Sequence, residues 1–286
     1  MISLPESAGT WIRMLHRPHD LLVQPSITAT TPFRLSDRVL LLGTVASPFL
    51  LLWFRSMYLW LGMIPLSALI LHFWRRNFAL FAHALFWPMF FVGLLCLPWP
   101  LNFTVPLGAY LALYAAWPRL RGSTNWLVSG RFTPVAIKWM VPTVFISSGS
   151  LLAWVFLFHP DLSDLARMVP RRGPIVLIAI GVVFSVLNAI WEEFILKGIG
   201  WKSLEEVFRR GWAVNAGQAA LFGAMHIGGF PKGWIGVLMG AVYGFVLGII
   251  RKESRGLLAP IATHISADAT IFLILYFISV GILSVK

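Results

Sequence analysis

The chain has 286 residues, of which 58% are hydrophobic and only 12% charged; a soluble domain carries about 25% charged residues, so an ordinary water-solvated fold is excluded. The formal net charge of +12 does not point to nucleic acid, because the basic residues sit between apolar runs rather than on one amphipathic surface. Cys96 is the single cysteine, which excludes an internal disulfide and any paired-cysteine metal or redox motif.

Residues 1–37 are polar, with prolines and scattered charges, and lack the apolar centre of a signal peptide; they read as a cytoplasmic tail. Apolar runs then follow near 38–54, 57–73, 78–97, 105–117, 137–159, 174–197, 213–229, 233–251 and 257–282. Most approach the ~20 residues that cross a bilayer as a helix, although the fourth is short and the seventh only weakly apolar. Continuous runs rather than ~10-residue alternation exclude a barrel. The expected fold is therefore all-α, a polytopic integral membrane helical bundle with eight spans, give or take one. With the N-terminus inside, Arg34, Arg38, Arg75, Arg76, Arg119, Arg121, Arg131 and Lys138 fall on the cytoplasmic side, as the positive-inside rule requires. A multi-pass protein of the plasma or inner membrane with a cytoplasmic N-terminus is expected. The stretch 201–212, WKSLEEVFRRGW, is amphipathic and is expected to lie along the interface.

The polar groups are distributed unevenly. Residues 38–159 form apolar N-terminal transmembrane helices in which His83 and Cys96 are the main polar groups, and 160–173 form a charged loop. Residues 174–282 carry nearly every other polar group expected at membrane depth. Of the 11 acidic residues, only Glu192, Glu193 and Asp268 fall inside apolar spans. An intramembrane charge costs at least ~2.5–3.5 kcal/mol and marks a functional candidate. Asn188 and Glu192 share a helix face, as do Glu193 and Lys197; Gln218, Phe222 and His226 form a stripe at four-residue steps; His264 and Asp268 are again four apart. Three helices thus present polar stripes that should face inward and converge. A carboxylate there can take a proton from water and return it to a leaving amine. The two histidines can bind a divalent metal such as zinc as neutral rings, or donate to an oxyanion. Taken singly, Glu193 and Lys197 read equally as an intrahelical ion pair and each histidine as a packed core residue; Asn188 and Gln218 read as interhelical hydrogen-bonding groups, and His83 as structural.

Taken together, Glu192-Glu193 with Lys197, Phe222 with His226, and His264 with Asp268 resemble the three motifs EExxxR, FxxxH and HxxxN of the CPBP family, the CAAX-protease and bacteriocin-processing membrane peptidases also called Abi proteins. The resemblance covers about residues 174–282. It implies an intramembrane endopeptidase acting near the cytoplasmic face on a membrane-associated protein or peptide. Glu192 is the expected base, Glu193 its support, and His226 and His264 hold water or oxyanion, directly or through a metal, while Asp268 orients His264, binds a metal or stays protonated. Lys197 stands where the family has Arg, keeping the charge and losing the bidentate fork; Asp268 stands where Asn is common.

No HExxH, GxSG or GxGD motif is present. A proton-coupled transporter is the alternative of another class, since acid and histidine chains also relay protons; polarity confined to the second half disfavours it, because transporters commonly repeat their halves. A catalytically altered membrane-peptide binder is the third reading. One depth mismatch accompanies the span map: Glu192 and His264 lie ~8 and ~10 Å inside their spans, whereas His226 lies ~20 Å inside if its helix starts at Ala213. The mismatch closes if that helix starts near Gly217.

Overall fold

The computed structural model describes residues 34–53, 63–170, 172–208 and 210–283; the expected N-terminal tail falls almost wholly outside the described residues. Every regular element among them is helical: α1 (Leu35–Trp53), α2 (Met63–Arg76), α3 (Phe78–Ala84), α4 (Phe86–Cys96), α5 (Leu101–Ala116), α6 (Pro118–Thr124), α7 (Pro134–Phe158), α8 (Ser163–Ala166), α9 (Pro174–Glu192), a π-helical stretch (Glu193–Gly200), α10 (Trp201–Val207), α11 (Gly211–Met225), α12 (Gly233–Ser254) and α13 (Leu258–Ser279). In lipid each backbone polar group must be satisfied within its own segment, which leaves the helix as the form an apolar run can take. The ends are set locally. Pro134 and Pro174 open α7 and α9, where a missing N–H is harmless. The Thr133 hydroxyl accepts from the Ala136 N–H, and the left-handed residues His159 and Arg255 close α7 and α12.

Among the described residues five helical stretches are long and apolar enough to cross a membrane: Phe78–Cys96, Pro134–Phe158, Pro174–Val207, Gly233–Ser254 and Leu258–Ser279. The expected spans 105–117 and 213–229 are present as α5 and α11, but these have 16 and 15 residues. At about 1.5 Å per residue they fall short of a ~30 Å hydrocarbon core. The bundle stands as expected, with fewer full-length spans among the described residues; the expected span 57–73 lies partly outside them.

Two boundaries differ from expectation for one reason. The helix that begins at Pro174 does not end at 197 but runs on through the π-helical stretch to Val207. Residues 201–207 therefore form a packed continuation of that helix: Trp201, Ser203 and Leu204 are buried. The Ser203 hydroxyl receives the Trp87 indole N–H at 3.2 Å and faces the carbonyl of His83 at 3.0 Å. The helix carrying His226 starts at Gly211, not Gly217. The depth mismatch closes differently: Glu192 lies fifteen residues before Val207 and His226 fifteen after Gly211, so both stand roughly 20 Å from the turn that joins them.

Packing centres on two regions. α12 packs along α11, α9 along α13, and α7 against both α12 and α13. The aromatic first half supplies a wall around the π-helical stretch: Trp126 meets Phe194 edge-on at 5.4 Å, and a Cβ on Gly198 would stand 2.6 Å from the Trp126 ring. Glycine is therefore required there for the indole to reach the backbone. His83 is buried with Nε2 3.7 Å from Glu206, in keeping with a structural role and with a partner that its own helix did not reveal.

Candidate active site

The site grows from the point where α9 changes pitch. Eight consecutive residues from Glu193 adopt i→i+5 bonding, a form that recurs in short runs at functional sites. Nearly all of that stretch is buried, including Glu193 and Lys197, each fully. Lys197 Nζ lies 3.1 Å from Glu193 Oε1 and 4.4 Å from the centroid of the Phe222 ring. The lysine thus makes one carboxylate contact, and an aromatic face takes the place of the second arm of a guanidinium fork. Arg251 on α12 stacks over Trp201 at 4.3 Å and donates from Nε to the Lys197 carbonyl, tying the π-helical stretch to the helix bundle.

The two adjacent glutamates diverge. Glu193 points into the packed protein, where its Oε1 accepts from His264 Nδ1 at 2.9 Å. Glu192 lines a cavity, and its Oε1 accepts from Asn188 Nδ2 at 3.1 Å. Its Oε2 faces His264 Nε2 at 3.8 Å and has no hydrogen-bond partner among the described residues. Asp268, buried on α13, lies 3.8 Å from the same Nε2 and receives Asn188 Nδ2 on both oxygens at 3.2 and 3.3 Å. One amide therefore serves two carboxylates on two helices. Because Glu193 accepts from Nδ1, Nε2 is the His264 nitrogen turned toward Glu192 and Asp268. A gap of 3.8 Å is too long for a direct bond and is of the kind a water bridges.

His226 follows the last residue of α11. Its Nδ1 lies 2.9 Å from the Phe222 carbonyl; a carbonyl only accepts, so Nδ1 carries the proton and Nε2 is left for the site. The His226 ring stacks on Phe222 at 5.0 Å, and the Phe222 ring also meets His264 at 5.6 Å and Tyr243 at 6.1 Å. Glu192, His226, His264 and Asp268 all line one cavity of about 970 Å³; Glu193 and Lys197 stand behind it. Gln218, on the same stripe, is buried and donates to Asn215 at 2.7 Å and to the Gly244 carbonyl at 2.8 Å, the interhelical role expected of it. Among the described residues no three His, Cys, Asp or Glu side chains gather closely enough to hold a metal ion. Each histidine commits Nδ1 and leaves Nε2 free, an arrangement that suits a metal ligand as well as a water-holding imidazole.

Several contributors escaped the sequence reading. Asn188 binds the candidate carboxylates rather than only joining helices. Tyr243 packs edge-on against His264 at 5.5 Å. Gly240 and Gly244 let α11 approach: a Cβ on Gly240 would stand 2.8 Å from His226 Nδ1, and one on Gly244 2.8 Å from Phe222 Cβ. The signal was present as small residues at four-residue spacing along α12, a helix-contact pattern.

Residues 174–270 match the family model described as Type II CAAX prenyl endopeptidase Rce1-like. This agrees with the CPBP resemblance of the three motifs, and it covers Glu192, Glu193, His226, His264 and Asp268. No curated protein and no solved structure matches the chain.

Proposed function

We propose, from the Rce1-like character of residues 174–270, that this integral membrane peptidase works by glutamate-activated water. Its substrate is a peptide bond of a membrane-associated protein or peptide. The observation that carries the reading is the 3.8 Å gap between Glu192 Oε2 and His264 Nε2 at the cavity wall, with Glu193 holding the far side of the imidazole. A water in that gap gives its proton to Glu192 and its oxygen to the scissile carbonyl carbon. The neutral Nε2 of His264 holds the water from the other side. His226, whose Nδ1 proton is engaged by the Phe222 carbonyl, donates to the tetrahedral oxyanion from Nε2 when that nitrogen carries a proton taken from solvent and kept through the cycle, while His264 stays with the water. Glu192 then delivers its proton to the leaving nitrogen, which departs as an amine and leaves a carboxylic acid. Asn188 and Asp268 keep Glu192 and His264 in register. No step requires a metal.

Glu192→Gln nearly preserves shape and removes the base. Turnover should fall at least ~10²-fold in a cleavage assay on the purified protein, with expression and membrane insertion intact. A Glu192→Gln protein as active as the parent overturns the assignment. Chelators should leave cleavage by the parent unchanged; inhibition that added zinc reverses would replace the glutamate mechanism with a metal one.

A further inference from the structure

Helix α7 carries four serine and threonine residues, Thr143, Ser147, Ser148 and Ser150. Thr143, Ser147 and Ser150 follow one another at steps of four and three, a spacing that marks one helix face, and all three line the cavity. The fourth, Ser148, bonds Thr270 of α13 at 2.8 Å. Thr270 lies two residues beyond Asp268, so the hydroxyl face of α7 passes the candidate carboxylates at their own depth. On α5, Asn102 also lines the cavity; its Oδ1 is buried and has no hydrogen-bond partner among the described residues.

A serine or threonine in an apolar helix commonly bonds back to its own backbone. That accounts for the protons here: Thr143 Oγ1 donates to the Trp139 carbonyl at 2.6 Å and Ser147 Oγ to the Val144 carbonyl at 3.2 Å. It leaves the oxygens able to accept, because a hydroxyl has two lone pairs beside its one proton. Asn102 Oδ1 is likewise an acceptor, so these groups together call for donors. A peptide bond open to attack by water lies out of helical hydrogen bonding. Each backbone N–H it brings into a low-dielectric space is then costly unless an acceptor meets it. In an extended chain the N–H groups on one side recur every second residue, ~6.6–6.8 Å apart, and four residues of α-helix rise ~6 Å. Thr143 and Ser147 are therefore spaced to take two such groups.

Resting on the peptidase reading above, we propose that the hydroxyl face of α7 is a subsite for substrate backbone. Thr143 and Ser147 accept from two N–H groups, two residues apart, of an extended peptide lying past Glu192 and His264, and Asn102 offers a further acceptor to the same chain. The subsite recognises main chain rather than side chains, and it lies outside residues 174–270 that match the family model. The first half of the protein thereby positions the chain that the second half cuts.

The test uses the full chain in detergent micelles and a set of fluorogenic peptides, lipidated on a side chain and unlipidated. The Glu192→Gln protein is the blank. In the best-cut peptide each backbone amide except the scissile one is replaced in turn by an ester, which removes one N–H and keeps the shape; mass spectrometry locates the cut. Two esters placed two residues apart should each lower kcat/KM by ~3–10-fold, the net contribution of one hydrogen bond. Thr143→Val should abolish one of these penalties and Ser147→Ala the other, while Thr143→Ser keeps both. A merely structural effect of the variants would lower the rate for every peptide alike and leave the ester pattern intact. Should Thr143→Val fail to fold, Ser147→Ala carries the same prediction at the neighbouring position. Penalties that persist in the variants, or no ester penalty at any position, would overturn the subsite and leave proteolysis standing. Cleavage of no peptide above the blank would overturn the peptidase reading, and the subsite with it.

Discussion

At the scale of single residues, the two departures from the family motifs each have a partner. Asp268 faces Asn188, so Asp268→Asn keeps an acceptor for that amide and adds a donor on a side chain that lies beside His264 Nε2. The variant should retain cleavage, measured as kcat/KM on the same peptide; complete loss would show that position 268 needs a carboxylate. Lys197 and Glu193 form a buried ion pair. Removing one partner of such a pair costs about 3–5 kcal/mol, whereas replacing both with apolar groups is often nearly neutral. Lys197→Met should therefore lower the unfolding midpoint sharply, and Lys197→Met with Glu193→Leu should recover most of it while remaining inactive. A double variant no more stable than the single one would refute the pairing. The candidate acids were legible in the sequence because charges are scarce in apolar runs. Their division of labour was not, since adjacent residues on a helix differ in facing by an angle that only the local pitch sets.

At the scale of elements, the π-helical stretch and the α11–α12 contact carry the site. The i→i+5 bonding of 193–200 leaves no periodic mark in sequence, and the helix consequently extends ten residues beyond the expected end at 197. On α12, Gly240→Ala would drive a methyl into the His226 ring, at 2.8 Å from Nδ1. A displacement of about 1 Å at a reacting group costs ~10²-fold in rate. That loss should appear with the protein still folded, whereas Gly149→Ala, whose Cβ meets nothing within 4 Å, should leave kcat/KM unchanged. Equal activity of the two variants would show that His226 tolerates displacement.

At the scale of the whole molecule, the cavity is built by more than the segment that matches the family. Trp139, Ile146 and Ser150 of α7 and Phe103 of α5 line it, and Ser148 of α7 bonds Thr270 of α13 at 2.8 Å. A chain reduced to residues 174–286 should insert into membranes yet show no cleavage above the Glu192→Gln blank; full activity of that fragment would mean that the first half is dispensable. In liposomes the complete protein should cleave peptide and carry no proton flux. Flux without cleavage, lost in Asp268→Asn, would establish transport instead.

The sequence by itself determined the solvent and the fold class, because a chain with so little charge cannot cover a surface against water. It also determined where to look. Glu192, Glu193 and Asp268 are conspicuous in apolar runs, and four-residue spacing places partners on one helix face. What only the tertiary structure decided are the relations between helices. Asn188 meets Asp268 eighty residues away, and Phe222 gathers Lys197, His226 and His264 around one ring. Glu192 faces the cavity while Glu193 is buried. Such contacts depend on the rotation and depth of each helix in the bundle. Those are set by close packing at glycines and by where a helix changes pitch: spaced glycines mark a contact face without naming the helix that meets it, and the change of pitch leaves no local pattern in the sequence.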